Sequence, residues 1–183
     1  MKRNRQQTEK RIVDAAIALL AADGFTGFGV NAVSARAGVD KVLIYRYFTG
    51  LEGLLDFIGK TEVLFPSAAA MLDTDLEGFY QNFNRAQLGN PLSASLHNWE
   101  RVADNPLTQA FRRQRTLFWN DAAGLLRPQN DSARCLLNLV STMPLDSLPA
   151  SGLRPLLEHS QFAPVAPTAK GNSPVERLPD NLL

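Results

Sequence analysis

The sequence predicts an all-α protein, in which a three-helix domain with a helix-turn-helix precedes a second helical domain. Three observations favour this fold class. Apolar residues recur at helical spacing, as Ile12, Ala16 and Leu20 do near the start of the chain. Glycines and capping residues end one helical segment and begin the next at short intervals. The apolar stretch 38–48 has a strand-like composition, but no second strand-like run lies near enough to pair with it.

The first two predicted helices are bounded by glycines. One apolar stripe predicts a helix over Thr8–Ala22, with Thr8 as its N-cap. Gly24 is placed to end this helix in a left-handed conformation. A second run of helical spacing, 30–37, is followed at once by Gly38, which is another helix stop.

The stretch "GVDKVLIYRYF", 38–48, lies between two further capping signals. Asp40 is a good N-cap for a helix over Lys41–Phe48, and Thr49 begins a capping box for the helix after it. About two helical turns fit between these caps. The pattern of helix, glycine-containing turn and short helix therefore predicts a helix-turn-helix over about 29–48.

A helical wheel divides this short helix into two sides. Ile44 and Phe48 fall on one side, which predicts that they face the core. The other side carries Val42, Leu43, Tyr45, Arg46 and Tyr47. Arginine can read guanine, apolar side chains can meet thymine methyl groups, and tyrosine hydroxyls can hold phosphates. Spacing alone leaves two interpretations open, a DNA-reading surface or aromatic residues buried in a helical core.

Positive charge is concentrated in the first third of the chain. Net charge is only +1, but residues 1–60 hold nine Lys/Arg against six Asp/Glu. A basic cluster at the start can neutralise phosphates or form a solvated arm. A single cysteine, Cys135, excludes a disulfide framework within the chain. No apolar run is long enough for a membrane span, so we expect a soluble, cytoplasmic protein.

The rest of the chain is predicted to be helical as far as about residue 162. Candidate helices are Leu76–Leu88, Ser93–Asp104, Leu107–Leu126, Ser132–Met143 and Leu153–Phe162. Eight of the eleven prolines follow residue 127. The segment 163–183 is rich in proline and poor in residues that could form a core, which predicts a disordered tail.

From residue 8 to residue 58 the sequence resembles the DNA-binding domain of TetR/AcrR-type transcriptional regulators. Three motifs in register carry the resemblance. They are the A-x-x-L-x-x-x-x-G-F run from Ala16 to Phe25, the Ala37-Gly38-Val39 turn and the Tyr45-x-Tyr47-Phe48 signature. The resemblance implies a DNA-binding domain over 1–58 and a helical effector-binding and dimerisation domain over 59–162. We expect neither enzymatic activity nor a cofactor, since no catalytic motif stands out in the sequence.

The resemblance also implies roles for individual residues. Tyr45 and Tyr47 occupy positions that hold operator phosphates, and Arg36 lies where backbone contacts occur. Lys2 to Arg5, including Arg3, would form an arm that reaches a neighbouring groove. Base- or backbone-facing positions are occupied by Lys41, Val42, Leu43 and Arg46. As partners the family implies a near-palindromic operator, a second copy of the chain and a small-molecule inducer. We expect Ser132–Met143 and Leu107–Leu126 to form the dimer surface.

Some residues depart from the family pattern. Gly29 replaces a usual Thr or Ser, Asp40 replaces a usual Ser, and Leu51 replaces a usual Lys. The Asp40 carboxylate would lie near DNA phosphates and weaken non-specific binding. These departures leave open an alternative, a helical interaction or ligand-carrier protein that keeps the fold and binds DNA weakly or not at all.

Candidate ligand-binding residues lie in the second domain. Aromatic side chains that could line an apolar pocket or simply form the core are Phe83, Trp99, Phe118 and Trp119. His97, Glu100 and Asp104 recur at helical spacing and could form a polar strip, while too few ligands lie nearby for a metal site. Arg112, Arg113 and Arg115 are interpreted as a solvated face. No nucleophile–base pair, phosphate loop or catalytic carboxylate pair stands out.

Overall fold

The structure, a computed structural model, describes residues 2–73, 75–142 and 160–162, and for Lys2 and Arg3 it describes the backbone alone. These residues form α-helices, one short 3-10 helix and an isolated antiparallel bridge between Pro128 and Phe162, with no β-strand among them. The all-α fold class is therefore confirmed. The α-helices are α1 (Lys2–Asp23), α2 (Val30–Ala37), α3 (Val42–Phe48), α4 (Leu51–Thr61), α5 (Leu76–Leu88), α6 (Pro91–Trp99), α7 (Pro106–Leu126) and α8 (Asp131–Thr142); the 3-10 helix is Ala68–Met71.

Helix α1 begins earlier than its sequence predicts. Thr8 lies inside the helix and its hydroxyl donates to the carbonyl oxygen of Asn4 at 2.9 Å, so its prediction as an N-cap is wrong. The charged and polar residues before Thr8 continue the helix, and one ion pair four residues apart, Arg5–Glu9, supports it. Gly24 ends the helix as predicted: it has φ 61°, and its N–H donates to the Leu20 carbonyl at 3.0 Å.

The end of α3 also differs from the prediction. Thr49 adopts a left-handed conformation with φ 60°, and its N–H donates to the Tyr45 carbonyl oxygen at 2.9 Å. Its hydroxyl donates to the Phe48 carbonyl oxygen and caps nothing in α4, whose N-cap is Gly50. The capping box predicted at Thr49 is therefore wrong, because the residue already ends the preceding helix.

Apolar side chains of α1–α4 form one continuous core. Ile12, Leu20, Val33 and Ile44 are fully buried within it. Burying a side chain of this size stabilises the folded state by about 1.5–3 kcal/mol. This core therefore holds α3 in a fixed position on the surface of the domain.

Side-chain caps begin the later helices. Asp75 Oδ1 accepts the N–H of Gly78 at 2.8 Å at the start of α5, whose bounds and buried face match the prediction. Asn105 forms a capping box with Thr108 at the start of α7, and Pro106 occupies its first turn. Helix α8 matches its prediction within one residue as far as Thr142.

Helix α6 is shorter than predicted, since it ends at Trp99 and not at Asp104. In a continuing helix the Glu100 carbonyl oxygen would accept the backbone N–H of Asp104. Here it accepts a hydrogen bond from Arg112 Nη1 at 2.9 Å. Most of the predicted helix over 153–162 and the tail over 163–183 lie outside the described residues.

Side-chain hydrogen bonds from α6 and α7 help to join the later helices to the first four. Gln114 on α7 donates through Nε2 to the carbonyl oxygens of Gly59 and Glu62, at 3.3 and 3.1 Å, and so binds the end of α4. The glycine is required there, since a Cβ at Gly59 would lie 2.6 Å from the Cβ of Ala110. Ser95 on α6 donates to the Leu20 carbonyl oxygen at 2.7 Å. The ends of α1 and α4 are therefore both tied to the second helical region.

Candidate nucleic-acid interface

The start of α3 is fixed by Asp40. Its side-chain Oδ1 accepts the backbone N–H of Val42 at 2.9 Å, and its carbonyl oxygen accepts that of Leu43 at 3.0 Å. These are the contacts of an N-cap, as the sequence predicts. The carboxylate is exposed beside the helix N-terminus, where the helix dipole favours a negative charge.

Helix α3 has one buried side and one exposed side. Ile44 is fully buried and Phe48 is 6% exposed, so the predicted core-facing pair is confirmed. On the other side Val42 and Tyr45 are 61% and 57% exposed. This side also carries exposed Lys41 and Arg46, with half-buried Leu43 and Tyr47 at its edges.

The exposed side of α3 is unusual for a surface helix. Val42 and Tyr45 are large and apolar over most of their surface, yet both are exposed beside Arg46. Burial in a helical core, the second interpretation left open by spacing, is therefore wrong for Tyr45. Exposed apolar side chains grouped with a charge are typical of a contact surface.

Two arginines flank the turn before α3. Arg36 is exposed in the last turn of α2. Arg11 on α1 donates through Nη2 to the carbonyl oxygens of Ala37 and Gly38, at 2.5 and 3.1 Å. It satisfies carbonyls that the end of α2 leaves without intrahelical partners. Sequence reasoning missed this role, because the contacts join residues 26 and 27 positions apart and no local spacing signals them.

The basic start of the chain belongs to α1 and does not form a separate arm, so that part of the expectation for Lys2–Arg5 is corrected. Arg5 Nε pairs with Glu9 Oε1 at 2.7 Å, and its guanidinium carbon lies 5.1 Å from the centroid of the Tyr47 ring. The hydrogen bond and charge of Glu9 raise the pKa of Arg5 above its usual value. Arg5 thus reaches the edge of α3, whereas the Arg3 side chain lies outside the described residues.

The candidate ligand residues do not form one open pocket. Phe83, Phe118 and Trp119 are buried and pack on one another, with ring centroids 4.9–5.2 Å apart. They are part of an aromatic core between α5 and α7. Trp99 lies elsewhere, against the end of α1, with its ring 5.8 Å from that of Phe25.

His97 is buried inside the same region. Its Nε2 lies 3.3 Å from Gln87 Oε1, and its ring centroid is 4.8 Å from that of Phe111. Burial, with a smaller contribution from the charge of Arg115, lowers the pKa of His97 to about 4. The imidazole is therefore neutral near pH 7.

The predicted polar strip of His97, Glu100 and Asp104 does not form, because α6 ends before the last two residues. Glu100 pairs with Arg115, and Asp104 pairs with Arg112 at 2.5 Å, so these two arginines are not a solvated face. In the part of the chain that the structure describes, no three His, Cys, Asp or Glu side chains are grouped to hold a metal ion.

A small cavity lies between α7 and α8. Its volume is about 230 Å³, and it borders the aromatic core through Trp119. The other lining residues are Arg115, Thr116, Asn120, Ala123, Leu137, Asn138, Ser141 and Thr142. The cavity therefore offers polar and apolar surface in similar amounts, with Trp119 as its one aromatic lining residue.

No helix among residues 2–73 and 75–142 combines the length and apolar character that a membrane crossing requires.

Comparisons with known proteins identify a family model and solved structures that are similar to this chain. Residues 12–58 match the model for the tetR family of bacterial regulatory proteins. No curated protein matches the chain. Among solved structures, a HlyIIR mutant whose residues 169–186 are substituted by a GSSGSSG linker has a TM-score of 0.59 and 16% identity, covering 84% of this chain and 96% of that one. At this identity the likeness concerns the fold alone.

Two further solved structures have lower TM-scores. A HlyIIR mutant with residues 170–185 substituted by alanine has a TM-score of 0.48 and 15% identity, covering 84% of this chain and 96% of that one. A gamma-butyrolactone receptor described as ArpA-like has a TM-score of 0.45 and 20% identity, covering 85% of each chain. The match over 12–58 includes all of α2 and α3, the second half of α1 and most of α4. Over these residues the chain is similar to the tetR family of bacterial regulatory proteins.

Proposed function

We propose that this protein is a ligand-responsive homodimeric repressor that binds a near-palindromic operator through α3. The observation that carries the proposal is the exposed side of α3, where apolar and basic side chains surround Arg46 while Ile44 and Phe48 hold the helix in the core. A second helix of a helix-turn-helix held in this way can enter the major groove. In this proposal residues 1–58 form the DNA-binding domain and 59–162 the effector and dimerisation domain.

The exposed residues divide by chemistry into readers and anchors. Arg46 is suited to guanine, and Val42 and Leu43 to thymine methyl groups. Lys41 can contact bases or backbone, and Tyr45 can donate its hydroxyl to a phosphate. The remaining members of the proposed interface are Tyr47 on α3, Arg36 on α2, and Arg3 and Arg5 on α1.

Dimerisation would place two copies of α3 in successive major grooves, about 34 Å apart along the duplex. We propose that α7 and α8 form the dimer surface. Support comes from large apolar side chains that point away from the core: Leu117 and Leu125 on α7 are 64% and 38% exposed, and Leu139 on α8 is 42% exposed. A second copy would bury them.

An inducer would act through α7. The cavity between α7 and α8 borders Trp119 on one side of α7, while Gln114 and Ala110 on the same helix contact the end of α4. A ligand that binds more tightly when α7 is displaced would shift α4 and alter the spacing of the two α3 helices. Phe83, His97 and Phe118 would form the wall behind the ligand, and Trp99 would link α6 to the end of α1.

The proposal is tested by selecting bound DNA from a random pool with the full chain. Enrichment of a palindrome with half-sites one helical turn apart would support both DNA binding and dimer symmetry. Arg46→Ala should then lose preference at one base pair of each half-site. Failure to enrich any sequence, together with no binding at low salt, would reject the proposal.

Asp40 favours a second candidate function. Its carboxylate is exposed at the start of α3 and opposes DNA phosphates, so a protein that uses the same fold to bind another protein or a ligand would tolerate it. A salt titration on mixed-sequence duplex separates the two candidates. A DNA-binding protein loses affinity steeply as salt rises, whereas the alternative shows no binding even at low salt.

A further inference from the structure

Three side chains from two helices meet at the edge of the exposed side of α3. Arg5 Nε donates to Glu9 Oε1 at 2.7 Å, and the Arg5 guanidinium lies 5.1 Å from the centroid of the Tyr47 ring. We refer to these residues as the Arg5–Glu9–Tyr47 cluster. The contacts join the second turn of α1 to the second turn of α3, so the cluster links a helix outside the helix-turn-helix to the helix that carries the proposed reading face.

Each member of the cluster constrains the next. Tyr47 is half-buried, with part of its ring packed against the core, and the guanidinium lies over the ring at cation–π distance. Arg5 is 61% exposed and would be mobile without a partner, but Glu9, at 26% exposure, is the more buried side chain of the pair. Glu9 therefore holds Arg5, and Arg5 restricts the orientation of the Tyr47 ring.

The same geometry limits the charge that reaches DNA. Each contact between a protein cation and a DNA phosphate releases counterions, and this release strengthens binding. The charge of Arg5 is balanced by a carboxylate at hydrogen-bond distance, so the pair contributes little net attraction. The Arg5 cation beside Tyr47 is therefore not a free phosphate ligand.

We propose that Arg5 is a positioning residue for Tyr47 and that Glu9 limits binding to the phosphodiester backbone by neutralising Arg5. The inference rests on the proposed function, since it requires α3 to bind DNA. As a consequence, contacts to the DNA backbone, which do not depend on sequence, supply a smaller share of the binding energy. The base-reading residues of α3 supply a larger share.

The first test is the salt dependence of binding by the full chain on a mixed-sequence duplex. Glu9→Gln should steepen the slope of log affinity against log salt by about 0.9, the value for one added phosphate contact. Between 50 and 200 mM salt, that added slope corresponds to a further affinity loss of roughly 3–4-fold. Arg5→Gln should weaken binding, because it frees the Tyr47 ring and leaves the Glu9 carboxylate unpaired, but it should change the slope by much less than about 0.9, because it removes no phosphate contact.

Helix α1 supplies a matched control. Lys10 and Asp14 form an ion pair with the same four-residue spacing and the same 2.7 Å distance, and both are exposed. The groove that Lys10 and Asp14 line with Phe57 and Thr61 of α4 also borders Glu9, but of the two cations it is Arg5 that lies over the Tyr47 ring. Asp14→Asn should therefore leave the salt slope unchanged. Ion pairs near the surface add little stability, so Glu9→Gln and Asp14→Asn should both fold normally.

A double variant decides whether Glu9 acts through Arg5. In the Arg5→Gln background, Glu9→Gln should leave the slope at the wild-type value. Three results would overturn the inference: an unchanged slope in Glu9→Gln, a slope flattened by about 0.9 in Arg5→Gln, or steepening that persists in the double variant. Wild-type protein that shows no binding at low salt would instead reject the proposed function, and the inference with it.

Discussion

The carboxylate of Asp40 accepts the backbone N–H of Val42 at 2.9 Å, so one residue both begins α3 and places a negative charge beside its exposed side. The cap and the charge can be separated by substitution. Asparagine caps a helix about as well as aspartate, whereas alanine does not cap.

Asp40→Asn should therefore keep stability within about 0.5 kcal/mol while raising affinity for mixed-sequence DNA, because a charge that repels phosphates is lost. Asp40→Ala should raise affinity less and cost roughly 1 kcal/mol of stability. Urea unfolding and DNA titration on the three proteins check both effects. Equal affinity in all three would show that the Asp40 charge does not face the DNA.

Arg46→Ala should weaken binding to a selected operator by about 1–3 kcal/mol and relax base preference at one position in each half-site. Arg46 is exposed, so the variant should unfold at the wild-type urea concentration. The matched control is Arg113→Ala, an exposed arginine on α7 far from α3 in the chain. A similar loss of affinity in both variants would contradict the assignment of Arg46 as a base reader.

Gly24→Ala should destabilise the protein by more than the cost of its backbone conformation. Gly24 has φ 61°, and a Cβ there would lie 1.8 Å from Trp99 Nε1. Gly27 is the control, because it has φ 74° but no atom within 4 Å of such a Cβ. Gly27→Ala should cost roughly 1 kcal/mol for the positive φ alone.

Urea unfolding should place Gly24→Ala at least about 1 kcal/mol below Gly27→Ala, since the indole must also move. In a Trp99→Ala background the two substitutions should cost the same, because the clash is then absent. A difference that persists in that background would mean that the Trp99 contact is not its source.

His97 predicts a loss of stability in acid. Its pKa is lowered to about 4 in the folded protein, against 6.5 for an ordinary histidine, so the unfolded chain binds a proton more readily. The contribution of the neutral imidazole is fully present above about pH 6.5 and is lost as pH falls toward 4. The total difference is of the order of 3 kcal/mol.

His97→Gln is the variant that isolates this effect, because glutamine can keep a hydrogen bond to Gln87 and does not titrate. Unfolding free energies of the two proteins should differ by a constant amount above pH 7 and diverge from that constant between pH 6.5 and 4. Parallel curves across the whole range would contradict the lowered pKa.

Sequence periodicity predicts where most of the described α-helices lie, although not the start of α1 or the end of α6. The burial of Ile44 and Phe48 follows from spacing alone, and Asp40 and Gly38 act as local caps in the way their positions predict. Local signals failed where a residue had two possible roles. Thr49 could begin α4 or end α3, and only the backbone geometry of the finished turn decides between them.

Contacts between distant segments could not be predicted in this way. Arg11 binds the end of α2, and Arg5 covers the Tyr47 ring, because the packing of α1 brings them there. The candidate ligand residues share an aromatic side chain, a property that is common to a core and a binding site. Packing separated Trp99 from Phe118 and Trp119, and nothing in their spacing distinguishes them.

Helix α7 is long enough to contact several parts of the protein at once. Its 21 residues extend roughly 30 Å, at about 1.5 Å per residue. Along that length Ala110 and Gln114 contact α4, Trp119 borders the cavity, and Leu117 and Leu125 face outward. If the proposed function holds, a substitution on α7 chosen to change the effector would therefore also disturb the DNA-binding geometry and the pairing of subunits. In that proposal, retargeting to a new effector is best begun on the α8 wall of the cavity, at Asn138 and Ser141.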